Sequence, residues 1–521
     1  MIKNKLVTTH DILNDVNHRV SCYTSSMALA LVDLEKHKNA ATYAAFLRYQ
    51  MVEHFALPTE GSALPQHLVE DLANQCNAYW AFHDLPPVAF PRQISEAQWD
   101  AMLPLFSHQK LMQVEHHVYH TGVDAERRCV DAQEMRMLGG VIDAALALQT
   151  HRQPPPSAES QEMHSMHFDA ETQGVKEVSQ LPKDAPLVLI LSGGTVQYDN
   201  PTAMRGIGRL VHQMLTVDDA IPKSREGKAP QLVVLTHPKS DLIRFHAEHL
   251  RANADPNAFR MPHVDRWVKQ TLLPALGETG EALQSPANLK RACGRLRFYS
   301  TSYGTIVQLA LRNALAAELR ERGHAVSTIR DGLAEVFALQ AFPTVRLDVP
   351  LPETGAFSTL NLVSTQDEAS RVRGNYGRLV PPGEQAPTLV PINEQTLLYW
   401  KHEPVEGYDM TRFDEESYRR FGTPRKVSEA DGIRANYRGH NPVLSASDIV
   451  WQDSEGNYQF TDNLPVRNAL RNSITSDEVP EDLGALLQGQ PKQPYTKRRE
   501  ALYRDLCYDP ELRDIMDQMF R

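Results

Sequence analysis

The chain has 521 residues, more than a single hydrophobic core organises, so two or more domains are expected. Hydrophobic residues make up 41% and charged residues 23%, the balance of an ordinary globular protein rather than a disordered chain. A net charge of −11 argues against nucleic acid as a partner, because neutralising phosphates takes clustered Lys and Arg. The one basic run, Lys497-Arg498-Arg499, reads as a solvated helix start.

The N-terminal stretch MIKNKLVTTHDILNDVNHRV is polar where a signal peptide would be apolar. No apolar run approaches the roughly 20 residues that span a bilayer, so no transmembrane segment is expected. The five cysteines, Cys22, Cys76, Cys129, Cys293 and Cys507, form no CxxC pair, which argues against a disulfide framework or a zinc ribbon. The expectation is a soluble protein of the reducing cytoplasm, with export by a route lacking a cleavable signal left open.

In chain order, apolar residues recur at helical spacing over Tyr43–Phe55, Leu68–Phe82, Met102–Val118 and Val130–Leu148, which predicts an N-terminal all-helical domain over residues 1–152. His116, His117 and His120 fall on one of these helices. Their order does not match H-E-x-x-H, and they read as a solvated or interface cluster. Pro154-Pro155-Pro156 opens a linker over 153–185 that holds Met163-His164-Ser165-Met166-His167, a stretch able to bind soft metals weakly.

From 186 to 480 the texture is α/β. Short apolar runs at Leu187–Leu191, Leu232–Leu235, Leu296–Tyr299, Val336–Leu339 and Leu360–Val363 alternate with helical patterns near Ala203–Leu215, Val264–Leu276 and Thr305–Leu319. That alternation implies βαβ units and a mostly parallel sheet flanked by helices. Arg205-Gly206-Ile207-Gly208 lies inside a helical pattern rather than after a strand, and no P-loop occurs, so no nucleotide cofactor is expected. A charged insertion at about 404–437 and a C-terminal helical extension over 481–521 complete the chain.

One motif carries chemistry. Ser300-Thr301-Ser302-Tyr303-Gly304 follows an apolar strand and opens a helix with Ile306, Val307, Ala310, Leu311, Ala314 and Leu315 as its buried stripe. This small-x-Ser-x-Gly run resembles the nucleophile elbow G-x-S-x-G, with Ser300 in place of the first Gly. The turn is sharp, so residues two positions either side of the serine must be small. The alternative is a structural βα turn with a capping serine.

Two more segments resemble parts of the α/β-hydrolase superfamily. Leu187–Leu191 runs into Ser192-Gly193-Gly194-Thr195, where that family carries its oxyanion loop. Leu360-Asn-Leu-Val-Ser-Thr-Gln-Asp367 resembles the strand and turn that present the triad acid, with Glu368 as understudy and a helix N-cap as the alternative for Asp367. The resemblance covers roughly half the chain, Leu187 to His440. It implies Ser302 as nucleophile, Asp367 as the acid and His440 as the base, with His402 the alternative base. Gly194 or Thr195 together with Tyr303 would supply the oxyanion hole. It implies a serine hydrolase of the carboxylesterase or lipase kind acting on a small-molecule or lipid ester, without metal or other cofactor. An acyltransferase with the same triad and an inactive binding or scaffold protein are the alternatives. The short connection from Phe342 to Ser358 leaves little room for a lid, so the N-terminal domain or residues 404–437 would have to cover the pocket.

Ile190-Leu191-Ser192-Gly193-Gly194-Thr195 also resembles the first strand and threonine loop of bacterial asparaginases. That family needs a Thr-Asp-Thr element further on. None follows; Leu235-Thr236-His237-Pro238 stands nearby instead.

Overall fold

The computed structural model describes residues 40–57, 60–107, 110, 111, 114, 132–152, 161–193, 201–216, 220–238, 242–277, 285–346, 349–364, 388–392, 395–400, 449–452, 458–461, 464–476, 479, 480 and 483–487. The chain divides into two compact units, Met1–Pro155 with Asp241–Ala254, and Pro156–Ser240 with Asp255–Arg521.

Among its described residues the first unit contains α1 (Ala40–Phe55), α2 (Gln66–Phe82), α3 (Glu96–Met102), α4 (Ala132–His151) and, from later in the chain, α6 (Leu242–Ala254); α5 (Pro201–Leu215) belongs to the second unit. Ser95 and Gln98 form a reciprocal capping box that starts α3. Helix α4 packs on α2 and α6, and Gly139 allows the close approach: a β-carbon there would sit 3.3 Å from Arg251 Cγ and 3.6 Å from the Ala247 carbonyl. Of the sequence-predicted helix Met102–Val118, a 3₁₀ turn at Leu103–Phe106 is described and most of the remainder lies outside the described residues.

Among its described residues the second unit is built on a nine-stranded mixed sheet. Its strands are β1 (Ser165–Asp169), β2 (Gly174–Glu177), β3 (Leu187–Leu191), β4 (Gln231–Leu235), β5 (Leu296–Ser302), β6 (Phe337–Pro343), β7 (Ser358–Ser364), β8 (Thr388–Ile392) and β9 (Gln395–Trp400). They lie in the order β2-β1-β4-β3-β5-β6-β7-β9-β8. Six neighbouring strands, β4 through β9 in that order, are parallel; β1 runs antiparallel to β4, and the two edges are the β1–β2 and β8–β9 hairpins.

Strands buried on both faces read as continuous apolar runs, and β3 (LVLIL) is buried at all five positions. Alternate residues then serve opposite faces. Val188, Ile190, Val234, Tyr299, Leu339 and Leu360 share one core with α5 and with α12 (Leu464–Thr475). The opposite face is covered by α10 (Tyr303–Glu321), which follows α7 (Pro262–Trp267), α8 (Leu273–Leu276) and α9 (Pro286–Cys293) along the chain and precedes α11 (Val326–Ala334). Arg471 of α12 donates to the carbonyls of Met214, Leu215 and Thr216, satisfying the C-terminal end of α5.

Two sequence expectations need correction. The segment 153–185 is not simply a linker, because β1 and β2 lie within it and extend the sheet. Met166 and Phe168 alternate into the core, while His167 bonds Gln231 and His164 bonds Glu177, so these histidines bridge neighbouring parts of the sheet. Asp169 Oδ1 accepts from the N–H groups of Glu171 and Thr172 and turns the hairpin. The second correction is α6, which lies within the expected 186–480 domain but packs in the first unit. The insertion 404–437, the cluster His116, His117 and His120, and the extension 481–521 apart from its 3₁₀ turn at Leu483–Leu487 lie outside the described residues.

Candidate active site

In an open parallel sheet, ligands bind at the carboxyl ends of the strands, where neighbouring crossovers leave in opposite directions. Here β3 is flanked by β4 on one side and β5 on the other, so the switch point lies between β3 and β5. Ser192-Gly193 follows β3 at this end, and Ser302 closes β5. The two lie close together: a β-carbon on Gly193 would stand 3.8 Å from Ser302 Cβ and 4.0 Å from its Oγ.

Ser302 has φ 52° and ψ −125°, a conformation that a side chain strains and glycine does not. It is the N-cap of the 19-residue helix α10, yet its side chain makes no capping hydrogen bond. A structural capping serine would have used its oxygen there. This one is half-buried, with a hydroxyl that bonds no described residue, at the positive end of a helix dipole.

The surroundings hold the strain in place. A β-carbon on Gly304 would fall 2.2 Å from the Leu191 carbonyl oxygen, so only glycine lets α10 start against the end of β3. Ser300 is fully buried and donates to Gln308 Oε1 at 2.6 Å, tying the strand before the turn to the helix after it. Thr305 Oγ1 donates to the Ser302 carbonyl at 2.7 Å, and Thr344 Oγ1 reaches the same carbonyl at 3.2 Å. The Thr344 N–H in turn donates to Thr305 Oγ1 at 3.1 Å. The β5–β6 register shifts between Thr301 and Ser302, so the bulge falls where the serine leaves the sheet.

A further residue joins this end of the sheet. His237, after β4, is buried, and its Nε2–H donates to the Ser192 carbonyl at 2.9 Å. A carbonyl can only accept, so Nδ1 carries the lone pair; it is buried with no hydrogen-bond partner among the described residues. The ring meets Tyr303 edge to face, centroids 5.0 Å apart at 81°. Burial pushes the imidazole pKa down to about 4, and the bond to Ser192 only partly opposes that.

Of the site residues anticipated from sequence, Ser302 and Tyr303 are thus described and adjacent, with Gly193 beside them. Gly194, Thr195, Asp367, Glu368, His402 and His440 lie outside the described residues. Sequence reasoning missed His237, Gln308, Thr305 and Thr344. A separate cavity is lined by Gln308 and Arg312 of α10, Gln340 of β6 and Phe357, among others. Burial lowers the pKa of the Arg312 guanidinium there to about 10, and it bonds Asn257, Asn313 and the Pro256 carbonyl. Among the described residues no group of three or more His, Cys, Asp or Glu could hold a metal ion, and no helix is long and apolar enough to cross a membrane.

The fold and site define an α/β protein with a mostly parallel sheet and a strained serine at its switch point. Compared with known proteins, the chain matches no family model and no curated protein.

Proposed function

We propose that the protein is a serine hydrolase of the α/β-hydrolase kind, cleaving an ester-type bond through Ser302. The observation that carries this reading is a hydroxyl bonded to no described residue, on a backbone with φ 52° at the N-terminus of α10. Strain of this sort concentrates at working residues. Ser192-Gly193 and Tyr303 beside it support an oxyanion hole of the kind built around such a serine.

In this reading Ser302 Oγ attacks the ester carbonyl carbon as a histidine takes its proton. His440 is the preferred base and His402 its alternative. Asp367 orients the imidazole. The negative charge that develops on the carbonyl oxygen is met by the Tyr303 N–H and by an amide of the Gly194-Thr195 loop. The alcohol leaves with the proton held by the histidine, and water then hydrolyses the acyl-enzyme through the same steps reversed.

A fluorophosphonate probe and a p-nitrophenyl ester series test the proposal. Expected are a single adduct on the peptide containing Ser302 and ester turnover that falls by about 10⁴-fold or more in Ser302→Ala. His440→Ala should behave alike and His402→Ala should not, if His440 is the base. Folded protein that neither takes the probe at Ser302 nor turns over any ester overturns the proposal in favour of a binding scaffold. Ester transferred to added alcohol or thiol in preference to water would make the enzyme an acyltransferase.

A further inference from the structure

We propose that His237 is a positioning residue for the oxyanion side of the site: its Nε2–H, donated to the Ser192 carbonyl, and its ring, packed edge to face with Tyr303, hold the Ser192–Gly193 peptide and the first turn of α10 in register. The inference rests on the reading of Ser302 as a nucleophile and adds the element that fixes the Ser192–Gly193 peptide and the start of α10 beside it.

The argument starts from the sheet. β4 is the immediate neighbour of β3, paired through Leu191↔Leu235, so the residues that follow these two strands meet at the same edge. His237 follows β4 by two positions and Ser192 follows β3 directly. The contact at 2.9 Å joins a side chain to a backbone carbonyl in a segment that continues into two glycines, which have no side chains to fix it. The Ser192 carbonyl and the Gly193 N–H belong to one planar peptide, so a bond that fixes the carbonyl also fixes the direction of that N–H. The same carbonyl lies against α10: a β-carbon on Gly304 would be 2.9 Å from it. The loop is therefore held between the imidazole on one side and the start of the nucleophile's helix on the other.

The choice of residue points the same way. Packing alone would be served by Leu or Phe, neither of which leaves a buried lone pair unpartnered as His237 Nδ1 is left among the described residues. The cost of that lone pair is accepted with the donor that the other nitrogen supplies. Because burial keeps the ring neutral, Nε2 remains the single N–H, and it points at a group that only accepts.

The role differs from that of the base. His237 already spends its one N–H on Ser192, and no hydrogen bond joins it to Ser302 among the described residues. A glutamine carries an N–H at the same distance along the side chain as Nε2, so it can replace a positioning donor but cannot replace a base.

The test begins with wild-type protein and the fluorophosphonate probe. Lack of labelling at Ser302 removes the hydrolase reading, and this inference with it. With labelling established, His237→Gln and His237→Leu are compared in ester turnover and in affinity for an aryl boronic acid, which adds to Ser302 Oγ as a tetrahedral anion. Expected for His237→Leu is a kcat lower by about 10- to 100-fold with KM little changed. Boronate affinity should fall by a similar factor, because only the tetrahedral state uses the oxyanion donors. His237→Gln should recover most of both. Folded His237→Leu with wild-type kcat and boronate affinity overturns the inference, as does His237→Gln impaired as severely as His237→Leu. Should His237→Leu fail to fold, ¹⁵N NMR of the wild-type imidazole decides: protonated Nε2 with bare Nδ1 supports the assignment, and the opposite tautomer overturns it.

Discussion

Replacing Ser302 by glycine and by alanine separates the backbone cost of the elbow from its chemistry. At φ 52° and ψ −125° a residue with a β-carbon carries about 1–3 kcal/mol of strain, which glycine does not. Glycine also frees the unfolded chain, which costs about 0.5–1 kcal/mol. The hydroxyl contributes no hydrogen bond to a described residue, so its loss subtracts little. Ser302→Gly should therefore be more stable than Ser302→Ala by about 1 kcal/mol, whereas at an ordinary strand end the same pair would differ by a similar amount with the opposite sign. Both variants lose the nucleophile, so activity does not enter the comparison. The assay is native-state hydrogen exchange in peptides covering α10, which reports the second unit without contribution from the first. Ser302→Ala protecting α10 better than Ser302→Gly would refute the strain argument and remove the principal support for the hydrolase reading.

Other outcomes follow from single contacts. Gly304→Ala places a β-carbon 2.2 Å from a backbone carbonyl that has no rotamer to yield, so it should destabilise the second unit by roughly 3 kcal/mol or more; a urea midpoint equal to wild type would contradict the geometry. His237 links stability to pH. The unfolded ring titrates near 6.5 and the folded one at about 4, so between these values the unfolded chain holds the extra proton and folding weakens as pH falls. The contribution is intact above pH 6.5 and about 3 kcal/mol of it is gone by pH 4. His237→Gln should show a correspondingly flatter pH dependence of its urea midpoint, and identical slopes would refute the assignment. Burial pushes the Cys293 thiol up to about 12 and the Cys76 thiol well up, so iodoacetamide at pH 8 should modify neither until the chain unfolds; alkylation of either in folded protein would be inconsistent with their burial.

The parallel centre of the sheet was legible because strands buried on both faces must be apolar along their whole length. β3 and β4 are LVLIL and QLVVL, and both stand within one residue of the runs read from sequence. β1 was not legible. Only alternate residues of Ser165–Asp169 enter the core, and the polar ones between them, His167 among them, look like linker composition. Helix α6 was placed with the wrong unit because position along the chain says nothing about which core an amphipathic face joins. Ser302 could be singled out because the steric demand of its turn is local, falling on Ser300 and Gly304. The clamp by Thr305 and Thr344 joins residues 39 positions apart, and His237 meets Ser192 across 45, so neither leaves a local pattern. One signal was available for His237: it stands just past the end of a buried strand, at the edge where a doubly wound sheet keeps its ligands.

The choice between an enzyme and a scaffold turns on one carbon atom. A scaffold that needed only the strand-to-helix turn would be served best by glycine at 302, where the backbone angles cost nothing. The protein instead keeps a β-carbon there and holds the resulting strain with Gly304 against Leu191, Ser300 on Gln308, and two threonines on the Ser302 carbonyl. Those restraints leave the backbone carbonyl bonded and the side-chain oxygen without a partner among the described residues. A hydroxyl is the one group that this β-carbon carries, and under the proposed function a nucleophile is the role in which a hydroxyl bonded to no described residue, at a helix N-terminus, offsets the strain of presenting it.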